Sequence, residues 1–246
     1  MAATSPPSDG MRFFSWEAFI RVLPRLAGRV PVTLGITAGA FAAGFALSLV
    51  LAAVQVYRVP VANQFARVYI SFARGTPVLI QLLICNLALP GAIWGITGVN
   101  VGRYWNPVSF VIIAYALNVA AFLSETLRAG ISGVGAGQQE AAFSVGLTEV
   151  QALRFVLFPQ AFRIALPGIA NNLSGLLKDT SLAYSAAGVL DVMGMVTTNA
   201  AATYRELEGY VGAAIVFFAL CLLLEWGMRL LSARLSVGTA AVKQGG

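Results

Sequence analysis

The chain has 246 residues, of which 58% are hydrophobic and 11% charged, with a formal net charge of +6, no histidine and a mean hydropathy of +0.79. Soluble domains carry about a quarter charged residues, so this composition excludes an ordinary soluble fold and indicates an all-α polytopic membrane protein. The length allows about five spans of roughly 20 residues and leaves no room for a separate soluble catalytic domain. The basic excess sits in loops and at helix ends, which suits membrane lipid headgroups and not nucleic acid.

Residues 1–10 are rich in Ser, Pro and Ala and lack the apolar core of a cleavable signal, so the first span is expected to serve as the targeting signal. Between Phe13 and Arg29 the apolar residues Trp16, Phe19, Ile20, Leu23 and Ala27 recur at helical spacing, while Arg21, Arg25 and Arg29 line another face. That pattern predicts a helix lying in the membrane interface, so that residues 1–30 form a tail plus an amphipathic helix. An uncharged first span is expected over 31–55, where Gly35 and Gly39 form a G-x-x-x-G pair suited to close helix contact. A second span is expected over about 65–89, flawed near its start by Arg74-Gly75-Thr76-Pro77, and a third over 107–124. A long polar loop then occupies 125–163.

The fourth apolar region, 164–196, is punctured by Pro167, Asn171, Asn172 and Lys178-Asp179-Thr180-Ser181, and reads either as one irregular span or as a span plus a re-entrant piece. A last span is expected over 210–231, giving a membrane domain over 31–232 and a tail over 233–246, with 239–246 disordered. Cys85 and Cys221 each fall inside an apolar stretch and read as packing residues, not as a disulfide or a metal site.

Five spans put the termini on opposite sides. With the N-terminus outside, the inward segments carry Arg58, Arg67, Arg128, Arg154, Arg163, Arg229, Arg234 and Lys243, against Arg103 and Arg205 on the outward loops after the first span. The arginines before that span argue the other way but sit on the expected interfacial helix and are outweighed. The positive-inside rule therefore favours an outside N-terminus and a cytoplasmic C-terminus, and places the 125–163 loop in the cytoplasm.

Polar groups within the apolar stretches are the candidates for a pathway. Lys178 and Asp179 are neighbours, pointing about 100° apart on a helix, so each needs another partner or water. Either they face a bundle interior or aqueous cavity, or they mark a helix end at the interface. Arg74 has the same two readings. Asn118, Asn171 and Asn172 offer amides to a zwitterionic amino acid, and half-helix ends near Pro77 or Pro167 would suit its charged groups; polar residues gluing helices together explain the asparagines equally well. Thr76 and Glu125 complete this set of pathway candidates.

Gly130-Ile131-Ser132-Gly133 resembles the motif of rhomboid-type serine proteases, but the chain has no histidine to act as base. The same absence removes H-E-x-x-H zinc sites, so no catalytic residue and no metal site is expected. There is no G-x-x-x-x-G-K-[ST] loop, so the energy source is another subunit or an ion gradient.

Within the 125–163 loop, Glu140, Ala141 and Ala142 are followed by Gly146 four residues later and by Pro159 thirteen further on. Small residues near one side of a short helix let another protein approach closely, and Glu140, placed in the first turn, would be favoured by the helix dipole. Gly146 is expected to interrupt that helix, with a second running from Thr148 to Phe158. The run resembles the EAA loop of the membrane subunits of ATP-binding-cassette importers.

Three further stretches, Phe65 to Gln81, Ser124 to Ile131 and Leu177 to Leu182, are similar to the polar amino-acid branch of these permeases, which includes histidine, glutamine, glutamate, arginine and cystine systems. The resemblance covers roughly residues 30–235 and implies a type I importer permease fold in the cytoplasmic (inner) membrane of a bacterium. It further implies a second permease subunit as homo- or heterodimer, a cytoplasmic ATPase dimer and an extracytoplasmic solute-binding protein. ATP and Mg would be bound by the ATPase and no cofactor by this chain. Glu140, Ala141, Ala142, Gly146 and Pro159 would couple ATPase closure to the pore. The cargo implied is a polar L-amino acid, with cystine-type permeases looking closest. The alternative is an ion-coupled secondary transporter using Lys178, Asp179 or Glu125.

Overall fold

The computed structural model describes residues 13–236; the expected tail segments 1–10 and 239–246, with Lys243, lie outside the described residues. Every regular element among them is helical: α1 (Trp16–Ala27), α2 (Val30–Val56), α3 (Ala62–Gly75), α4 (Val78–Thr97), α5 (Val101–Tyr104), α6 (Pro107–Ser132) and α7 (Ala136–Ser144). There follow α8 (Glu149–Ala152), a π-helical turn (Leu153–Leu157), α9 (Phe158–Asp179), a 3-10 turn (Thr180–Leu182), α10 (Ala183–Ala187), α11 (Val192–Thr203) and α12 (Glu206–Ser236). Among the described residues, five segments are long and apolar enough to cross a membrane: Val30–Val56, Val78–Thr97, Pro107–Ser132, Glu149–Ala187 and Glu206–Arg234.

The centre of the bundle is α6, whose apolar window is 56% buried against 11% for that of α4, so α6 is wrapped by protein while α4 turns most of its apolar surface outward. It packs on α2, α9, α4 and α3. The core joins Ile36 and Ala40 of α2, Leu82 of α4, Val111, Tyr115, Val119 and Leu123 of α6, and Ile169 and Leu176 of α9. The hydroxyl of the fully buried Tyr115 donates to the carbonyl of Asp179, tying the middle of α6 to the end of α9.

The helix α1 forms as its periodicity predicts, with Ser15 capping it by accepting from the Ala18 N–H at 3.4 Å. Its buried residues, Phe19, Val22 and Leu26, include Val22 and Leu26, which pack against Val192 and Val196 of α11 and Ala213 of α12; Trp16 and Ile20 stay exposed. The expected apolar face is therefore divided between protein and surroundings.

Several boundaries move. The second span begins at Val78, not 65, because Thr76 and Pro77 adopt extended backbone and separate α3 from α4. Proline disfavours helix for the residue before it, which ends α3 there. The third span runs on to Ser132, since Glu125 and Arg128 pair at 2.7 Å one turn apart and support the helix instead of ending it. The 125–163 loop thus consists of the last turns of α6, then α7, α8, the π turn and the start of α9. The stretch from Thr148 does not stop at Phe158 but continues through the π turn into α9. Pro167 lies inside the unbroken α9, so no half-helix end exists there. The 164–196 region resolves into α9, the 3-10 turn, α10 and an extended link to α11. The last helix passes the expected 232 boundary and reaches Ser236.

The expected G-x-x-x-G contact also shifts. A Cβ on Gly35 would meet nothing within 4 Å and one on Gly39 would make an ordinary contact with Ile112 at 3.4 Å. The close approach is at Gly44, where a Cβ would stand 2.2 Å from Val119 Cγ1 and 2.8 Å from the Ala116 carbonyl oxygen.

Candidate functional site

The segment from α6 to α9 is a compact helical turn held at both ends. Helix α7 closes at Gly146, whose φ of +81° lies in the left-handed region that favours glycine. The N–H of Leu147 bonds the Ala142 carbonyl at 3.1 Å and that of Gly146 bonds Phe143 at 2.9 Å, which satisfies the last carbonyls of α7. A Cβ at Gly146 would meet nothing within 4 Å, so backbone conformation and not space demands the glycine. Thr148 and Gln151 then form a reciprocal capping box that starts α8.

Pro159 explains the π turn. Its ring would clash with the carbonyl four residues back and it has no N–H to donate, so the preceding helix widens, the Phe158 N–H bonding Leu153 five residues back. Gln160 Nε2 bonds the Val156 carbonyl at 3.0 Å and Gln138 Oε1 at 3.1 Å, fastening α7 to α9.

On α7, Ala142 is buried against the protein itself, whereas Glu140, Ala141, Phe143, Val145 and, beyond the turn, Val150 and Phe155 are exposed. Glu140 stands mid-helix and not in the first turn, so the expected support from the helix N-terminus does not apply to it. Ala141 and these exposed apolar residues form one outward surface, with Ala142 packed beneath it.

The second constellation is a polar cleft of about 170 Å³ between α6 and α9, lined by Asn118 and Phe122 from one side and Asn171, Asn172, Gly175 and Asp179 from the other. The spacing on α9 places Asn171, Gly175 and Asp179 on one face, each four residues from the next. The two helices come close because a Cβ at Gly130 would stand 2.6 Å from the Ala161 carbonyl oxygen.

The asparagines divide in role. Asn118 donates to Gln81 Oε1 at 3.0 Å, and Gln81 Nε2 donates to the Ala73 carbonyl at 2.8 Å and to Thr76 Oγ1 at 2.8 Å. This chain of amides covers carbonyls left open where α3 ends, so Thr76 and Asn118 are joined through Gln81, which sequence reasoning did not single out. Its signal was a lone amide four residues after a Thr-Pro break. Asn172 bonds Thr126 Oγ1 at 3.1 Å and the Gly168 carbonyl at 2.9 Å, gluing α9 to α6. Asn171 and the Asp179 carboxylate make no side-chain hydrogen bond among the described residues and line the cleft.

Arg74 and Glu125 do not line the cleft but adjoin it, 4.0 Å apart, with Arg74 over the ring of the cleft residue Phe122 and Glu125 also bound by Arg128. Lys178 is exposed on the side of α9 near Cys221 of α12 and takes no part in the cleft.

Residues 35–237 match the family described as "Binding-protein-dependent transport system inner membrane component". The chain belongs to this family. As an inner membrane component it is similar, at 40% identity over 213 residues covering 87% of this chain and 88% of the other, to the L-cystine transport system permease protein TcyL of Bacillus subtilis (strain 168). It is 33% identical over 211 residues, 86% of this chain and 92% of the other, to the probable amino-acid ABC transporter permease protein PatM of Vibrio harveyi. A chain from the crystal structure of an amino acid ABC transporter with histidines superimposes with a TM-score of 0.78 at 28% identity, covering 90% of this chain and 99% of that one. The MetNI methionine ABC transporter in an inward facing conformation shares the fold, with a TM-score of 0.69 at 16% identity.

The chain is thus a multi-pass inner membrane permease of the ATP-binding-cassette importer type, with the type I permease fold. Family membership overturns the ion-coupled alternative, and Lys178, Asp179 and Glu125 lose the coupling role it would have given them.

Proposed function

We propose that this permease carries a polar L-amino acid of the cystine class, and that the cleft between α6 and α9 is part of its path. The observation that carries the reading is the placing of Asp179: a half-buried carboxylate lining the same cleft as Asn171, which stands two turns, about 12 Å, along the same face of α9. A carboxylate suits the substrate ammonium group and an amide suits its carboxylate, while Asn118, Asn172 and Thr76 hold the walls. The 40% identity to an L-cystine permease supports the cargo.

In this reading the N-terminus is outside, the C-terminus cytoplasmic, and the α7 surface seats a cytoplasmic ATPase. The ATPase dimer supplies ATP and Mg binding, and this chain has no ATP site. A second permease completes the pore and a solute-binding protein delivers cargo from outside. The arginines at 58, 67, 128, 154 and 163 on the α7 end of the bundle support that orientation.

The test is uptake of labelled L-cystine into proteoliposomes holding the permease with its ATPase and solute-binding protein. Asp179→Asn is expected to lower uptake at least about tenfold, the effect of losing a charged hydrogen bond, while ATP hydrolysis continues. Unchanged uptake in the variant would remove Asp179 from the path. Uptake of another polar amino acid but not of cystine would correct the cargo alone.

A further inference from the structure

A second cleft, of about 440 Å³, opens at the α7 end of the bundle, away from the α6–α9 path. It is lined by Gln55 and Arg58 from the end of α2, Asn63 and Arg67 from the start of α3, and Glu125 and Arg128 from α6. Three guanidinium groups face one carboxylate there. Glu125 is already engaged by Arg128 at 2.7 Å, whereas the side chains of Arg58 and Arg67 have no hydrogen bond or ion pair among the described residues. Their charges are therefore uncompensated by the protein itself.

Two features show that the cleft is built and not an accident of long side chains. Arg58 has a φ of +50° and Val61 a φ of +65°, so the turn from α2 to α3 holds non-glycine residues in the left-handed region, which is disfavoured and costly for a β-branched side chain. Asn63 and Arg67 stand one turn apart at the start of α3, where the helix dipole adds positive potential and the first turn has no acidic residue. An anion is the ligand that such an arrangement accepts.

The surroundings say which anion. The apolar run of α2 ends at Val56, and the same turn of the molecule presents Phe65, Val68 and Phe72 of α3 outward, 73%, 70% and 56% exposed. The cleft therefore lies where a spanning helix leaves the hydrocarbon, beside an exposed apolar helix face. That is the level of lipid phosphates, and basic pockets between spanning helices recognise such headgroups. We propose that the Arg58–Arg67–Arg128 cleft is a binding site for the phosphate of an anionic phospholipid. The site does not depend on what the permease carries.

Native mass spectrometry of the full chain in mild detergent tests this, with phosphatidylglycerol, phosphatidylcholine and inorganic phosphate as separate probes. The wild type should retain phosphatidylglycerol in preference to phosphatidylcholine, and Arg58→Gln with Arg67→Gln should reduce that retention by about fivefold per arginine. Arg103→Gln, at a distant loop, should leave it unchanged. Arg58→Gly removes the guanidinium while relieving the positive φ, so it keeps the test valid if the double variant misfolds; it too should lose retention. Equal retention of both lipids, or full retention in these variants, would overturn the proposal. Saturable phosphate binding without lipid preference would assign the cleft to a free anion and overturn the lipid source. Loss of ATPase association in the variants with lipid retention intact would assign it to an acidic protein surface instead.

Discussion

Gly44 is the residue on which the pairing of α2 with α6 turns, since a Cβ there would meet the Ala116 carbonyl oxygen at 2.8 Å and that backbone oxygen has no room to retreat within its own helix. Gly44→Ala is expected to destabilise by about 1–3 kcal/mol through overpacking, which exceeds the roughly 1 kcal/mol that alanine gains over glycine in a helix. Gly35→Ala, facing open space, should hold or slightly raise the stability of the isolated chain. Thermal unfolding in detergent separates the two. Asp191, fully buried, makes a different prediction. Its Oδ1 accepts the Gly194 N–H at 2.8 Å, capping α11, while Oδ2 has no hydrogen-bond partner among the described residues. Burial pushes its pKa from 3.8 up to about 6, against the opposing pull of nearby backbone N–H groups. Folding therefore takes up a proton between these values, so the group's contribution is full below about pH 4 and is lost as pH rises through about 6. Asp191→Asn keeps the capping acceptor and removes the titration. The wild type should gain in melting temperature relative to this variant as pH falls from 7 to 4, and parallel curves would show that Asp191 stays charged or is hydrated.

At the scale of elements, the membrane class and the number of spans were legible because charge is sparse and each span is a long apolar run. Boundaries failed where polar residues lie inside a helix. Glu125 and Arg128 look like a loop until their one-turn pairing is seen, and the break at Thr76 and Pro77 was visible as a flaw without revealing that Gln81 and Asn118 would close it. The α9 face carrying Asn171 and Asp179 was readable from spacing, as was the divergence of Lys178. Its partner across the cleft was not, because periodicity on one helix says nothing about which helix it meets. The α7 segment was half legible. Gly146 announced a turn, which occurs, whereas the stop expected at Phe158 does not, because Pro159 widens the helix into the π turn without ending it. The burial of Ala142 depends on α7 folding back on that π turn, which only the three-dimensional arrangement shows. The G-x-x-x-G pair misled for a related reason, since small residues permit close contact without specifying where it happens.

At the scale of the whole molecule, α7 is joined on one side to α6 and on the other, through α8 and the π turn, to α9, and these are the two helices that line the polar cleft. In the proposed function, a force applied at α7 would act on both walls of the cleft, and α9 would carry it from Pro159 to Asp179, a distance of about 30 Å at helical rise. The Gln138–Gln160 bond fastens α7 to α9 and Ala142 is buried beneath it, the contacts through which the two helices would move as one. Gly146→Asp tests this linkage. Open space around the position means the added side chain meets no atom of the chain, and aspartate enters the left-handed region more readily than most residues, at a cost of about 1–2 kcal/mol. The variant is expected to insert and to sustain ATP hydrolysis by its ATPase, while uptake falls sharply because a charge and a bulkier turn disturb the surface beside Phe143 and Val145. Paired measurement of hydrolysis and uptake in proteoliposomes decides it. Uptake at the wild-type rate would show that motion reaches the cleft by a route other than this turn, and loss of hydrolysis together with uptake would show that Gly146 serves assembly and not transmission.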